Sequence, residues 1–194
     1  MNRSNDKWNV DMNSLQGHFL AANPHQLDPN FVEAVILVVT HDNCGAMGVI
    51  VSCPRDRHEG ISQQRSTKRR WFEEPRLYFG GPVTGPLMAV HADRAFAGIK
   101  ILPGVFFERE EERVFTLMRS TEQAYKAFTG YAGWGPRQLE HEVEYGIWRA
   151  IPATAAEIFS NGGRLWERLL RRASDSLLQA ICNVKHIPRD PSLN

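Results

Sequence analysis

The sequence predicts an α+β fold with a largely antiparallel, strongly bent sheet flanked by helices near the C-terminal half. Two observations support this. Apolar runs of strand length, separated by turn signals, recur through residues 17–131. From residue 154 onward, apolar residues instead recur at helical spacing. Strands followed by helices, without regular alternation, are typical of α+β folds.

The first strands form the clearest local pattern. Phe19 to Ala22 reads as a short strand, and Glu33 to Thr40 is almost entirely aliphatic, as expected of a strand buried on both faces. The turn sequence Asp42 to Gly45 follows, and Ala46 to Ser52 resumes the strand pattern. Two apolar runs across so short a turn predict a hairpin in the middle of the sheet.

The segment 54–74 is polar and carries a basic cluster, Arg65 with Lys68 to Arg70. Connections of this length are uncommon, so the segment is either mobile or functional. The basic cluster favours a solvated loop over a nucleic-acid contact. Further strands are predicted at Arg76–Phe79 and Leu87–His91, and Ile99–Glu108 is a further apolar segment broken at Pro103-Gly104. A helix is predicted at Glu110–Met118, with Val114, Phe115 and Met118 on one side, and Ala124–Tyr131 leads toward the glycine-rich block that begins at Gly130.

The C-terminal part is predicted to be helical. Thr154-Ala155-Ala156-Glu157 fits a capping box, in which Thr caps the helix start and Glu reaches back. A second helix follows Gly162-Gly163. Its apolar face is Leu165, Trp166, Leu169, Leu170 and Ala173, with Arg164, Arg168, Arg171 and Arg172 expected in water.

The glycine-rich block Gly130 to Glu140 lies between these parts. We expect Gly130, Gly133 and Gly135 to need positive φ or a close backbone neighbour, and Tyr131 and Trp134 to fill the core. Pro136 suits the first position of a helix. That helix would present one apolar stripe and end at Gly146; the stripe is Leu139, Val143 and Ile147.

This block and three other motifs resemble the YqgE/AlgH family of bacterial proteins. The other motifs are Gly17-His18-Phe19-Leu20 through Asp28-Pro29-Asn30-Phe31, His41-Asp42 with Gly45-Ala46-Met47-Gly48-Val49-Ile50, and Gly80-Gly81-Pro82-Val83 followed by His91. Two positions depart from the family pattern. Ser52-Cys53-Pro54 stands where the family usually has an Asn-Arg-Pro-like end to its second long strand, and Arg137 stands where it usually has Gly.

The resemblance implies a curled, pseudo-barrel sheet. It also implies a family without an established biochemical activity, some of whose members carry a transcriptional-regulator label through a link to alginate production. The predicted organisation is a flexible N-terminal tail (1–16), one domain (17–182) and a polar C-terminal tail (183–194).

Net charge, apolar run length and cysteine content limit the classes of protein to which the chain could belong. A net charge of +1 is not that of a nucleic-acid binder. The longest apolar run, Ala34 to Val39, is too short to span a bilayer, and the N-terminus lacks the apolar core of a signal peptide. Three cysteines without a disulfide framework fit a reducing compartment. These features predict a cytoplasmic protein that binds a small molecule or a protein, without membrane contact, as a monomer or weak homodimer.

The leading functional prediction is a non-enzymatic binding or regulatory protein that needs no cofactor. Its groove would be formed by His41, Asp42, Gly45, Gly48, Gly80, Gly81, Pro82, His91, Tyr131, Trp134, Gln138 and Glu140. The alternatives are a transcriptional regulator that acts through DNA or a protein partner, and a hydrolase-like enzyme that uses His41, His91 or Glu140 as base. No nucleophile, base and orienting group form a complete set, so we assign no catalytic residue.

The sequence leaves open three further kinds of site: a metal site, a cysteine nucleophile and a glutamate pair. His41, Cys44 and His91 could ligate a metal, but no Cys-x-x-Cys or His-Glu-x-x-His pattern is present, which favours histidines that cap strand ends. Cys44 could be a nucleophile beside a histidine, although its surroundings match no catalytic-cysteine signature. Glu140 and Glu144, one helical turn apart, are either an acid/base pair or solvated charges.

Overall fold

The computed structural model describes residues 14–52, 77–160 and 164–182. The basic loop 54–74, the tail 183–194 and most of the tail 1–16 lie outside these ranges. The strands are β1 (His18–Ala22), β2 (Val35–Asp42), β3 (Gly45–Ile50), β4 (Leu77–Phe79), β5 (Val83–His91), β6 (Ile99–Leu102), β7 (Val105–Glu108), β8 (Tyr125–Trp134) and β9 (Trp148–Pro152). The helices are α1 (Glu111–Ser120), α2 (Gln138–Glu144), α3 (Ala155–Ile158) and α4 (Leu165–Cys182).

All nine described strands belong to one sheet, with the order β6-β7-β5-β8-β3-β2-β1-β9 and β4 attached to β8. Only the β4–β8 pair is parallel in the part of the chain that the structure describes. The predicted α+β class and antiparallel sheet are therefore confirmed. The sheet is not closed, but it is bent: the Gln16 side chain just before β1 donates to the Lys100 carbonyl of β6, at 2.9 Å, from the far side of the sheet.

The predicted hairpin is β2 and β3, and it forms the centre of the core. Residues 35–39 are fully buried because their alternating side chains face two different apolar clusters. Leu37 and Val39 pack toward β5, β7 and α4, whereas Ile36 and Val38 pack toward α2 and Trp148. The Asp42 carboxylate accepts a hydrogen bond from the Cys44 amide, at 2.7 Å, and so fixes the turn.

The glycine-rich block continues β8 instead of forming a separate loop, and β8 reaches Trp134. Gly130 has φ 78, and a Cβ there would lie 2.4 Å from the Gly81 carbonyl, so this glycine is required. The expectation for Gly133 and Gly135 is wrong. Neither has positive φ or a backbone neighbour, because Gly133 meets only the Tyr131 ring and Gly135 only a Gln138 side-chain oxygen.

Helix α2 begins at Gln138, later than the predicted start at Pro136. Arg137 precedes it with φ 61, a left-handed conformation that interrupts the helical path. Leu139 is fully buried and Val143 packs beside it. Ile147 does not extend this stripe, because the helix ends before Gly146 (φ 73) and leaves Ile147 39% exposed.

The other helices follow their predicted patterns with two corrections. In α1 the fully buried residues are Val114 and Leu117, the second of which the prediction omits. Leu165 and Leu169 of α4 are buried in the main core, as predicted. Arg172, however, is not simply in water: it donates to Glu157 at 2.8 Å and to the Pro152 carbonyl at 3.0 Å. No described helix has the length and apolar character needed to cross a membrane.

Candidate functional site

An open cleft of about 330 Å³ lies where the end of β8 meets helix α2. The β1–β2 loop, the start of β5 and the start of β9 complete its walls. It is lined by Gln26, Asp28, Phe31, Pro82, Val83, Ala132, Gly133, Trp134, Gln138, Glu142, Ile147 and Trp148. Segments that are far apart in the sequence therefore converge on one concave surface.

The Glu142 carboxylate is the polar centre of the cleft. Its Oε2 accepts hydrogen bonds from the indole N–H groups of both Trp134 and Trp148, each at 2.7 Å. Its Oε1 accepts from the Gln138 side-chain amide at 2.8 Å. Gln138 and Glu142 are one helical turn apart, so α2 presents both to the cleft while Leu139 faces the core.

Packed aromatic rings hold the two indole groups that bind this carboxylate. Trp148 packs edge to face against Trp134, with ring centroids 6.3 Å apart, and against Phe31 at 5.5 Å. Both indoles are more than nine-tenths buried. Because the rings are held by packing and their N–H groups by one acceptor, the position of Glu142 is fixed before any ligand arrives.

The β1–β2 loop adds a second carboxylate, that of Asp28. Its Oδ1 accepts from the backbone and side-chain amides of Asn30, at 2.9 and 3.0 Å, while no hydrogen bond reaches Oδ2 within the described ranges. Asn23 ties the loop to the α2–β9 connection through the Gly146 carbonyl, at 2.8 Å. The described lining thus holds two acidic side chains and no basic one, which makes the cleft electronegative.

Three of the predicted groove residues, Pro82, Trp134 and Gln138, line this cleft. The predicted groove glycines do not line the cleft but allow the strands that form it to pack closely. A Cβ on Gly81 would lie 2.3 Å from the Tyr131 backbone, and one on Gly45 would lie 2.2 Å from the Trp134 carbonyl. Gly48 and Gly80 allow equally close packing, against Ile36 and Gly130 respectively. Tyr131 itself packs on the opposite core face.

His41, Asp42 and Glu140 meet beside the cleft but do not line it. The His41 Nδ1 atom accepts the Leu15 amide at 2.9 Å, which assigns the ring proton to Nε2. That nitrogen faces the Glu140 carboxylate at 3.4 Å. The predicted capping role of His41 is thus observed, and its ring has no free lone pair with which to act as a base.

The placement of His91 in the groove is wrong. It lies at the opposite end of β5 from Val83, paired with Tyr125 instead of Tyr131, and strand geometry separates the two ends by roughly 25 Å. Its ring is fully buried, stacks on Phe106 with centroids 5.8 Å apart, and has no hydrogen-bond partner in the described part of the chain, so the predicted capping of a strand end by His91 is wrong.

Burial is the main influence on His91 and lowers its pKa, while the Asp93 and Glu108 carboxylates oppose that effect. The separation of His91 from His41 also argues against a metal site that both histidines would share. Across residues 14–52, 77–160 and 164–182, no three His, Cys, Asp or Glu side chains are arranged to hold an ion.

Sequence reasoning missed several residues of the cleft, which are Gln26, Asp28, Phe31, Glu142, Ile147 and Trp148. A usable signal existed for Glu142, because its spacing from Gln138 places both on one face of α2. No local signal places the β1–β2 loop beside α2. That contact depends on the pairing of β1 with β9, which is set by the whole sheet.

The AlgH-like family model matches residues 19–177, which is most of the chain. The chain belongs to this family. A UPF0301 protein of Streptomyces coelicolor is 33% identical over 198 aligned positions, covering 95% of this chain and 98% of the relative. A UPF0301 protein of Chlorobaculum tepidum is 30% identical over 187 positions, covering 92% and 95%.

Two solved structures share the fold. The solution structure of the AlgH protein from Pseudomonas aeruginosa has a TM-score of 0.59 and 26% identity, covering 97% of this chain and all of that one. The crystal structure of protein DIP2367 from Corynebacterium diphtheriae has a TM-score of 0.61 and 21% identity, covering 89% and 90%. The left-handed conformation of Arg137 is one that glycine adopts without strain, which fits the glycine that the resemblance to the family implies at this position.

Proposed function

We propose that this AlgH-like chain is a non-enzymatic cytosolic binding protein whose ligand occupies the cleft around Glu142. The observation that supports the proposal is the convergence of Glu142, Gln138, Trp134 and Trp148 on one concave surface. A few convergent polar groups set in an apolar, aromatic cleft are the usual form of a ligand site.

Preorganisation of Glu142 adds to this argument. A carboxylate that only stabilised the fold would need no opening to solvent, yet Glu142 lines the cleft and its Oε1 accepts one described hydrogen bond. A carboxylate oxygen can accept two, so Oε1 keeps room for a donor from a ligand.

The hydrolase alternative finds less support in the geometry. The His41 lone pair is engaged by the Leu15 amide, and the fully buried His91 lies at the far end of β5. Glu140 faces His41 instead of the cleft. A general base must reach the proton that it removes, and neither histidine reaches the Glu142 cleft.

The DNA-binding alternative finds no electrostatic support at the cleft. The described lining is acidic and would repel phosphate groups. The basic cluster of the loop 54–74 lies outside the described residues and is not part of the proposal.

Thermal shift assays with pooled metabolites and nucleotides test the proposal on the full chain. Ligands that bind the folded state raise the melting temperature, by an amount that grows with the ligand concentration relative to the dissociation constant. We expect at least one pool to stabilise the wild type, and Glu142→Gln to lose that response. Glu144→Gln is the matched control, because Glu144 is exposed on the same helix and does not line the cleft. Stabilisation that persists in Glu142→Gln would place the ligand elsewhere.

A further inference from the structure

The floor of the cleft contains an open strand edge. Strand β8 pairs with β5 only as far as Val83↔Tyr131, because β5 begins at Val83. On its other side β8 continues to pair with β3, through Gly48↔Ala132, Met47↔Gly133 and Ala46↔Trp134. The last three residues of β8 therefore have a strand on one side only within the described sheet.

The alternation of antiparallel hydrogen bonds shows which backbone groups are open. The Ile50 amide points away from β2 and donates to the Gly80 carbonyl, so Gly48 and Ala46, two and four residues away, also face β8. Their partners Ala132 and Trp134 bond to β3. By the same alternation, the N–H and C=O of Gly133 point toward the cleft, where Gly133 is exposed.

Side chains around this edge suit a cationic, partly apolar partner. Asp28 and Glu142 are the charged residues of the described lining, and both are acidic. Two apolar side chains of the lining are exposed to an extent that a bound segment would reduce: Val83 is 40% exposed and Ile147 39%.

We propose that the cleft binds a short extended peptide segment carrying lysine or arginine, which adds a strand to β8 at Gly133. This inference rests on the proposed function and specifies its ligand class. Strand addition supplies affinity through main-chain hydrogen bonds, and alternate side chains supply specificity. A free amine or guanidine could neutralise the carboxylates but would leave the Gly133 backbone groups unpaired.

The probe is a capped five-residue peptide of alternating valine and lysine, titrated into the full ¹⁵N-labelled chain. We expect the Gly133 amide resonance to shift and its hydrogen exchange to slow, because a new backbone partner protects it. The matched probes are the same peptide N-methylated at every amide, its glutamate counterpart, and lysine amide alone. N-methylation should weaken binding about tenfold or more, because it removes the peptide N–H donors that would pair with the Gly133 carbonyl.

Variants of the protein test the charge preference separately from strand addition. Glu142→Gln and Asp28→Asn, which keep the shape and a side-chain acceptor, should each weaken binding of the lysine peptide. Glu144→Gln should leave it unchanged.

Equal binding of the N-methylated peptide or of lysine amide would overturn strand addition. Equal binding of the glutamate peptide would overturn the charge preference. If no peptide binds while a metabolite pool still stabilises the wild type through Glu142, the peptide inference fails and the proposed function stands.

Discussion

Glu142 accepts hydrogen bonds from three side chains whose N–H groups have no other described partner. Trp134 and Trp148 each place a buried indole N–H on the same carboxylate oxygen, and the Gln138 amide donates to the other oxygen. Loss of the acceptor would leave polar groups unpaired in a largely apolar setting, which costs more than the hydrogen bonds themselves contribute.

Truncation of Glu142 therefore has a predicted stability cost. We expect Glu142→Ala to reduce the free energy of unfolding by about 2–3 kcal/mol, because two indole donors lose their acceptor. Glu142→Gln should cost less, since its amide oxygen still accepts. Glu144→Ala, on the same helix, is the control and should change stability by no more than about 0.5 kcal/mol. Urea denaturation at neutral pH provides the measurement, and equal costs for Glu142→Ala and Glu144→Ala would contradict the role of the shared carboxylate.

Lys126 is a second residue with unusual surroundings. It is 3% exposed, and its ammonium donates to the carbonyls of Val51 at 3.4 Å and Ser160 at 3.2 Å while lying 4.6 Å from the Tyr78 ring centroid. Burial lowers the pKa of Lys126 from 10.5 to about 8. The unfolded chain then binds more protons than the folded chain between these two values.

The sign of this difference sets a pH dependence. Because the unfolded state holds the extra proton, the Lys126 contribution to stability rises as pH increases from about 8 toward 10.5, by at most about 1.4 kcal/mol per pH unit. We expect Lys126→Met to remove that slope from the unfolding free energy measured between pH 8 and 10. Lys100→Met, at an exposed position, should retain it. A slope unchanged in Lys126→Met would show that other groups produce it.

At the scale of single elements, β8 is the junction of the sheet. It pairs with β5 along one side and with β4 and then β3 along the other. Gly130 lies where the β4–β5 connection crosses β8. Its φ is 78, and the Gly81 carbonyl oxygen lies 2.4 Å from the position that a Cβ would take. Gly133 stands in regular strand, with only the Tyr131 ring nearby.

These two glycines should differ in their tolerance of a side chain. Gly130→Ala should cost at least about 2 kcal/mol, because it combines a left-handed conformation with a backbone clash. Gly133→Ala should change stability by about 0.5 kcal/mol or less, since the Tyr131 ring can shift. Chemical denaturation of both variants compares them, and an equal loss would mean that the path of β8 differs from the one described.

The start of α2 depends on one left-handed residue. Arg137 holds φ 61, where a side chain is disfavoured and glycine is not. We expect Arg137→Gly to stabilise the fold by about 0.5–1 kcal/mol. Arg137→Ala is the control, because it removes the same side chain but keeps the Cβ, and it should not stabilise. If alanine and glycine had the same effect, the side chain and not the backbone would be the cause.

At the scale of the whole molecule, features that depend on residues close in sequence were predicted, and pairings between distant segments were not. The β2–β3 hairpin, the break at Pro103-Gly104 and the apolar face of α4 depend on short-range patterns, and the sequence alone predicted them. The parallel β4–β8 pair and the β1–β9 pair join distant segments, and no local period encodes them.

The candidate site shows the same limit. Pro82, Trp134 and Gln138 were predicted because they belong to or adjoin distinctive motifs, whereas Asp28 enters the cleft only through the long-range β1–β9 pairing. His91 was misplaced because a motif that is compact in sequence, from Gly80 to His91, extends along the full length of β5. A strand carries its two ends to opposite sides of the sheet.

The central claim is that a ligand binds beside the shared carboxylate of Glu142. The most direct test follows the indole N–H resonances of the ¹⁵N-labelled chain while a stabilising metabolite pool or the lysine peptide is added. Trp134 and Trp148 donate to Glu142, whereas Trp166, which does not line the cleft, donates to the Ala22 carbonyl at 2.8 Å. We predict that the Trp134 and Trp148 resonances shift together and that Trp166 does not. Shifts at Trp166 without shifts at the other two would contradict the proposed site.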